Sequence, residues 1–324
     1  MADIRLLTGL GLGLGLAVFV GLMTGPAGFS PAMLIGGESS ASTIFYEIRL
    51  PRVLIGLLVG GSLGLAGAAM QGLLRNPLAE PGIIGVSGCA GLGAVLVFYT
   101  GISAGLAIAL PLGGMLGALG AVWLLYLLSG RSNSTLMIVL AGVAVNAFAG
   151  AFTALVLNLS DNPFAAFEIV FWLMGSFADR SQEHVAIAIL PVFAGWWLLL
   201  RSASGLNVLS LGEETATSLG VNVPRLRLCV IFGTALSVGA AVSVSGMIGF
   251  IGLVVPHLLR SKVANEPARL LLPSALGGAI LAVVADIVVR VIPTAIELKI
   301  GVVTALVGAP FFLSLLKSMR REVI

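Results

Sequence analysis

Residues 50–72 are LPRVLIGLLVGGSLGLAGAAMQG, an almost uninterrupted apolar stretch with a single charged side chain. An α-helix of this length can cross the roughly 30 Å hydrocarbon core of a bilayer. One face of that helix carries a small residue at every fourth position: Gly56, Gly60, Gly64 and Ala68. Because small residues let membrane helices approach closely, we interpret this stripe as a packing surface rather than a conduction path.

The same apolar character extends along the whole chain. Of 324 residues, 58% are hydrophobic and 10% are charged, whereas a soluble domain carries roughly 25% charged residues. No long polar segment interrupts the apolar runs. The composition therefore excludes a water-soluble protein and predicts an all-α polytopic membrane protein with one transmembrane domain over residues 1–324.

Hydropathy predicts about ten transmembrane helices. They are expected near residues 6–23, 50–72, 82–100, 104–128, 134–158, 184–203, 226–246, 247–262, 270–291 and 300–317. If the amino terminus is cytoplasmic and the spans alternate, most of the 17 Lys and Arg residues fall on the cytoplasmic side. This distribution follows the positive-inside rule, so both termini are predicted to be cytoplasmic.

The chain lacks the residues that several catalytic mechanisms need. A nucleotide-binding P-loop contains Gly-Lys, and none of the three lysines follows a glycine: Lys262, Lys299 and Lys317. The two histidines are far apart without H-E-x-x-H spacing, and the two cysteines lie in separate apolar segments. We expect no enzyme activity, cofactor, protein-bound metal or disulfide in this chain, and no nucleic-acid partner.

Among the acidic residues, only Asp286 is predicted to lie well inside a span. A carboxylate within a membrane is costly and marks a functional site by default; the alternative is pairing with a nearby Ser, Thr or backbone group. An ion-coupled secondary transporter would be expected to show paired carboxylates at mid-membrane. That class and a non-transporting membrane scaffold are the disfavoured alternatives.

Three arginines are predicted at the external ends of spans, against the positive-inside bias: Arg49, Arg52 and Arg290. Arg49 and Arg52 are three residues apart, so a helix would place them on one face. One explanation is that they reach the interface with their long side chains. The other is that they bind carboxylates of a docking protein, because the planar guanidinium suits bidentate salt bridges.

The longest cytoplasmic loop is predicted to contain a short polar helix at about residues 211–219. Ser210 and Glu213 form an S-x-x-E capping box, Gly220 provides a left-handed stop, and Pro224 restricts the residue before it. The candidate contact residues in this segment are Leu211, Gly212, Glu213, Glu214, Ala216, Leu219 and Gly220. The alternative is an ordinary loop helix.

Three stretches together resemble the FecCD family of permeases, the membrane subunits of type II ABC importers. They are residues 49–53 with 71–81 (QGLLRNPLAEP), residues 246–257 (GMIGFIGLVVPH), and residues 297–301 with 304–312 (TALVGAPFF). The stretches occur in the order found in the family, and the resemblance covers nearly the whole chain. One departure is Lys299, which stands where the family usually has proline.

The resemblance implies a single permease domain in the bacterial inner membrane and a second permease subunit (a homodimer is expected). It also implies two cytoplasmic ABC ATPase subunits and a periplasmic substrate-binding protein. It implies that the three external arginines receive glutamates of the binding protein and that the 211–219 helix couples to the ATPase. It also places Asn146 in the helix that lines the path, although an interhelical hydrogen bond is an equal alternative. The expected cargo is a ferric siderophore or related metal chelate; haem and cobalamin are the alternatives.

Overall fold

A computed structural model describes residues 2–25, 30, 32–33, 36, 39–106, 108–129, 134–294 and 296–322. Within this described part every regular element is a helix. The main helices are α1 (Ala2–Met23), α2 (Leu50–Leu74), α3 (Val86–Tyr99), α4 (Ala109–Ser129), α5 (Thr135–Asn158), α6 (Pro163–Leu173), α7 (Gln182–Arg201), α8 (Ala203–Leu209), α9 (Glu213–Ser218), α10 (Val223–Ser245), α11 (Ile251–Arg260), α12 (Pro267–Val291) and α13 (Ile300–Glu322).

Seven of the described helices are long and apolar enough to cross a membrane: α1, α2 with the helical turns that precede it, α4, α5, α7, α10 and α12. Shorter apolar helices are α3, α6 and the Ile300–Leu315 part of α13. Every one of the ten predicted stretches overlaps a helix, although the bounds differ. The predicted all-α polytopic class is confirmed.

Helix α2 lies at the centre of the bundle, where it contacts α7, α10, α11 and α12. Its glycine stripe makes the predicted packing surface. A Cβ on Gly60 would lie 2.3 Å from the Gly278 carbonyl oxygen, and a Cβ on Gly64 would lie 2.0 Å from the Ser274 carbonyl oxygen. The two backbones are therefore in direct contact, and any larger residue would push α2 and α12 apart.

The predicted span 247–262 differs from the structure, because its helix covers only Ile251–Arg260. The four residues before Phe250 are not helical, and Phe250 itself has a left-handed backbone with φ 68°. The Met247 N–H donates to the Leu173 carbonyl at the end of α6 (3.3 Å). Backbone groups that a continuous helix would pair internally thus bond to α6, as buried irregular backbone in a membrane protein requires.

Helix α6 has no counterpart among the predicted spans, because residues 159–183 lie between the spans predicted at 134–158 and 184–203. The helix begins where Asn162 accepts a hydrogen bond from the Phe164 N–H (3.0 Å), with Pro163 in its first turn. Asn followed by Pro is a usual start signal. At 11 residues α6 is too short to cross a bilayer as a regular helix.

Candidate functional site

One end of the bundle gathers four charged side chains that we call the mouth cluster: Arg52, Asp286, Arg290 and Glu297. Arg52 lies at the start of α2, Asp286 and Arg290 are one turn apart on α12, and Glu297 lies just before α13. The Arg52 Nη2 is 2.8 Å from the Asp286 Oδ1, and the Arg290 Nη2 is 2.7 Å from the Asp286 Oδ2. Arg52 also pairs with Glu297.

Asp286 bridges the two arginines, one with each carboxylate oxygen, and its side chain is 2% exposed. Of the two readings that the sequence left open for Asp286, pairing with a Ser, Thr or backbone group differs from the structure, in which its partners are arginines. Arg52 is 234 positions away along the chain, so no local pattern could have indicated the pair. Breaking a buried pair of this kind is expected to cost about 3–5 kcal/mol, because it strands an unpaired charge.

Arg49 and Arg290 cap the carboxyl end of α1. The last turn of any helix leaves carbonyl groups without intrahelical donors. The Arg49 Nη1 donates to the carbonyl oxygens of Leu22 (2.8 Å) and Met23 (2.7 Å). The Arg290 Nη1 donates to those of Gly21 and Thr24, at 2.8 Å each. A cation at a helix carboxyl end is favourable. Capping of α1 therefore accounts structurally for the positions of Arg49 and Arg290.

These contacts bear on the predicted docking role of Arg49, Arg52 and Arg290. The exposed fraction is 3% for Arg49 and 8% for Arg52, and the Arg290 side chain is 3% exposed. Although Arg49 and Arg52 are three residues apart, Arg49 bonds to α1 whereas Arg52 pairs with α12. The guanidinium groups therefore already have intramolecular partners, and the accessible member of the cluster is Glu297, whose side chain is 37% exposed.

At the opposite end of α2 and α12, the segment predicted as a coupling helix begins later than expected. The helix α9 starts at Glu213 after Gly212, which has φ 113°, and no side chain caps it. Ser210 does not form the predicted capping box; its hydroxyl donates to the Asn207 carbonyl (2.6 Å), because Ser210 still belongs to the end of α8. Gly220 adopts the predicted left-handed conformation, with φ 84°.

The predicted contact residues of this segment separate into an inner and an outer set. Ala216 is fully buried, so it packs α9 onto the bundle and offers no surface to a partner. Glu213 is partly exposed, at 37% of its side chain, and its carboxylate pairs with the buried Arg227 of α10 (2.7 Å). Leu211 and Leu219 are 65% and 62% exposed, and Glu214 is exposed beside them.

Arg227 is a buried residue that the sequence did not single out; by position it is one of the basic residues predicted on the cytoplasmic side. Its side chain is 4% exposed and links α9 to the body of the bundle through Glu213. It also lies 3.4 Å from the Thr135 hydroxyl at the start of α5. A buried arginine beside a surface helix was not visible from residue order alone, since arginines near span ends are common.

Asn146 lies on an exposed face of α5, and its Oδ1 would be 2.5 Å from a Cβ on Gly88 of α3. A second exposed surface belongs to α13, where Leu306 and Leu313 are 71% and 66% exposed. Beside α13, an apolar cavity of about 670 Å³ lies against the end of α6 and the break before α11. The Phe250 ring forms part of its wall and packs on Gly308.

Comparison with known proteins gives consistent matches. The sequence profile of the FecCD transport family matches residues 13–318. The hemin transport system permease protein HmuU of Yersinia pestis is 38% identical over 283 residues, covering 86% of this chain and 84% of HmuU. The vitamin B12 import system permease protein BtuC of Salmonella typhi is 39% identical over 321 residues, covering 98% and 97%. A solved inward-facing metal-chelate type ABC transporter matches with a TM-score of 0.87 at 34% identity, covering 97% and 99%.

Proposed function

The chain belongs to the FecCD transport family, and we propose that this ABC transporter permease imports a ferric siderophore or a related metal chelate from the periplasm to the cytoplasm. The observation that carries the broad cargo class, a metal chelate, is the match over nearly both full lengths to a metal-chelate type transporter. A ferric siderophore within that class is the expectation from the sequence. Haem and vitamin B12, named for HmuU and BtuC, are the second candidates. All three are bulky metal complexes.

The test compares these cargoes in one assay. The permease is reconstituted into liposomes with its ATPase, and the cognate substrate-binding protein is added outside. We expect ATP-dependent accumulation of an iron-55-labelled siderophore, with haem and cyanocobalamin at background. Accumulation of haem or cyanocobalamin alone would replace the siderophore assignment. Background uptake of all three would contradict the whole proposal.

The transporter is proposed to contain two copies of this permease and two cytoplasmic ATPase subunits in the inner membrane, with both termini of each permease in the cytoplasm. The absence of a Gly-Lys pair from the sequence supports a separate ATPase. Asn146 supports the assignment of α5 to the path, because an exposed amide is costly in lipid and acceptable beside water or a second subunit. The exposed apolar side of α13 is assigned to the same path.

Alternating access without a tight membrane site is the proposed mechanism. The binding protein supplies affinity for the chelate, and the apolar wall near Phe250 and Leu306 offers few polar groups that could retain it. ATP binding and hydrolysis then shift the populations of outward-open and inward-open states. The broken backbone between α10 and α11 supports this mechanism, since irregular backbone at membrane depth is tolerated where it lines a cavity.

The two ends of the bundle are assigned to the two soluble partners. The binding protein is proposed to place carboxylates at the end of the bundle that carries the mouth cluster, where Arg49, Arg52 and Arg290 lie. The ATPase is proposed to receive the exposed side of the α9 region, Leu211, Glu214 and Leu219. Arg227 then transmits the motion of α9 to α10, because it is the buried charge to which Glu213 is bound.

A further inference from the structure

The two carboxylates of the mouth cluster differ in how strongly they are held. Arg52 has two acidic partners that differ in accessibility: the Asp286 side chain is 2% exposed and the Glu297 side chain is 37% exposed. Asp286 lies within α12 and also holds Arg290, so its departure would strand two buried cations. Glu297 lies in the non-helical segment between α12 and α13, and within the described part of the chain it is paired with Arg52.

If Glu297 moved away from Arg52, the rest of the cluster would carry a net positive charge. Arg52 and Arg290 carry two positive charges against the single negative charge of Asp286, and Arg49 is close enough to Arg290 for electrostatic repulsion. A carboxylate from outside would restore the balance and could use the same donors, Nη1 and Nη2 of Arg52, that now face Glu297. Arginine forks bind carboxylates with this geometry.

The same segment leads directly into α13. The Ile300 N–H donates to the Gly175 carbonyl (3.0 Å) and the Gly301 N–H to the Met174 carbonyl (3.1 Å), which fixes the start of α13 against the end of α6. Only Leu298 and Lys299 separate Glu297 from Ile300. A displacement of Glu297 therefore acts on the helix whose exposed face adjoins the apolar cavity.

We propose that Glu297 is an exchangeable carboxylate: an acidic side chain of the docked binding protein replaces it on Arg52 and releases residues 296–299, the non-helical segment that leads into α13. The inference rests on the proposed docking at this mouth. This exchange explains how the buried Arg52 can still bind a carboxylate of another protein. It also links docking of the binding protein to the segment that leads into α13, beside the apolar cavity. Before docking, Glu297 neutralises Arg52 and holds this segment against the start of α2.

The experiment measures affinity for the cognate substrate-binding protein by interferometry, with the permease and its ATPase in nucleotide-free nanodiscs. Glu297→Gln removes the competing charge, so the Kd should fall about two- to fivefold, the range expected for an exposed ion pair. The matched control is Glu47→Gln, an exposed acidic residue just before Arg49. It removes the same charge outside the cluster, and the Kd should stay unchanged.

A second readout follows the segment itself. A spin label on Ile296→Cys, in a background without Cys89 and Cys229, should become more mobile when the binding protein docks. In Glu297→Gln the label should be mobile both with and without the binding protein. Equal Kd changes for Glu297→Gln and Glu47→Gln, or a label that stays immobile on docking, would overturn the exchange.

Docking at the mouth is tested separately, so that its failure is recognisable. Arg52→Lys keeps the charge but loses the bidentate fork, and glutamate-to-alanine changes on the two lobes of the binding protein leave the permease untouched. Each should weaken association at least tenfold if the pairs are buried in the complex. If neither does, docking occurs elsewhere and the exchange falls with it. If both do and Glu297→Gln has no effect, only the exchange is wrong.

Discussion

Asp286 shows most directly how single residues hold this permease together. Its two oxygens bind Arg52 and Arg290, and Arg290 in turn caps the end of α1. One buried carboxylate thereby connects three helices, α1, α2 and α12. A buried ion pair is weak evidence of net stabilisation, but the loss of one member is costly because its partners remain charged.

Asp286→Asn should therefore lower the unfolding free energy of the detergent-solubilised permease by about 3–5 kcal/mol. The measurement is denaturant or thermal unfolding followed by circular dichroism. Asp161→Asn is the matched control, since Asp161 is exposed and its change should stay within about 0.5 kcal/mol. Equal stability of the two variants would show that the cluster is not buried in the protein in solution.

At the scale of elements, helix contacts in this protein depend on backbone touching backbone. Gly64 on α2 leaves no room for a Cβ against Ser274, whereas Gly120 on α4 has no atom near its missing Cβ. Lipid supplies little hydrophobic drive between helices, so close packing carries much of their association. Substitution by alanine at these two positions therefore distinguishes the packing effect from the effect of helix propensity.

Gly64→Ala should destabilise the permease by about 1–3 kcal/mol, because the methyl group forces α2 and α12 apart. Gly120→Ala should be neutral or slightly stabilising, since alanine is the better helix former by about 1 kcal/mol. Unfolding in a common detergent measures both. A Gly64→Ala protein as stable as Gly120→Ala would mean that the two helices can separate without cost.

The α9 region gives a second prediction at this scale. Leu211→Arg with Leu219→Arg places two charges on the proposed ATPase contact, and desolvation should weaken the complex by a few kcal/mol, on the order of hot-spot losses. We expect the ATPase to be lost on purification or to hydrolyse ATP without stimulation, while the binding protein still associates. The matched control, Leu211→Ile with Leu219→Ile, should retain both. Wild-type transport by the arginine variant would place coupling elsewhere.

For the whole molecule, the distribution of cationic residues predicts the orientation in the membrane. Single cysteines replacing Ser40, Asp161 and Thr215, all exposed, test it in a background without native cysteines. An impermeant maleimide added outside spheroplasts should label positions 40 and 161 but not position 215, which should react only after lysis. Labelling of position 215 from outside would mean that the α9 region is external, so the ends assigned to the binding protein and to the ATPase would have to be exchanged.

The sequence by itself determined the class, the approximate position of every main span and the family, because partition into lipid and helical periodicity are properties of consecutive residues. It also indicated the glycine stripe of α2 as a packing surface. Only the tertiary structure decided that Asp286 joins Arg52 and Arg290, that Ala216 faces inward and that residues 246–250 are not helical. Each of these depends on groups far apart in the chain, which meet only when neighbouring helices pack and satisfy one another's charges and backbone groups.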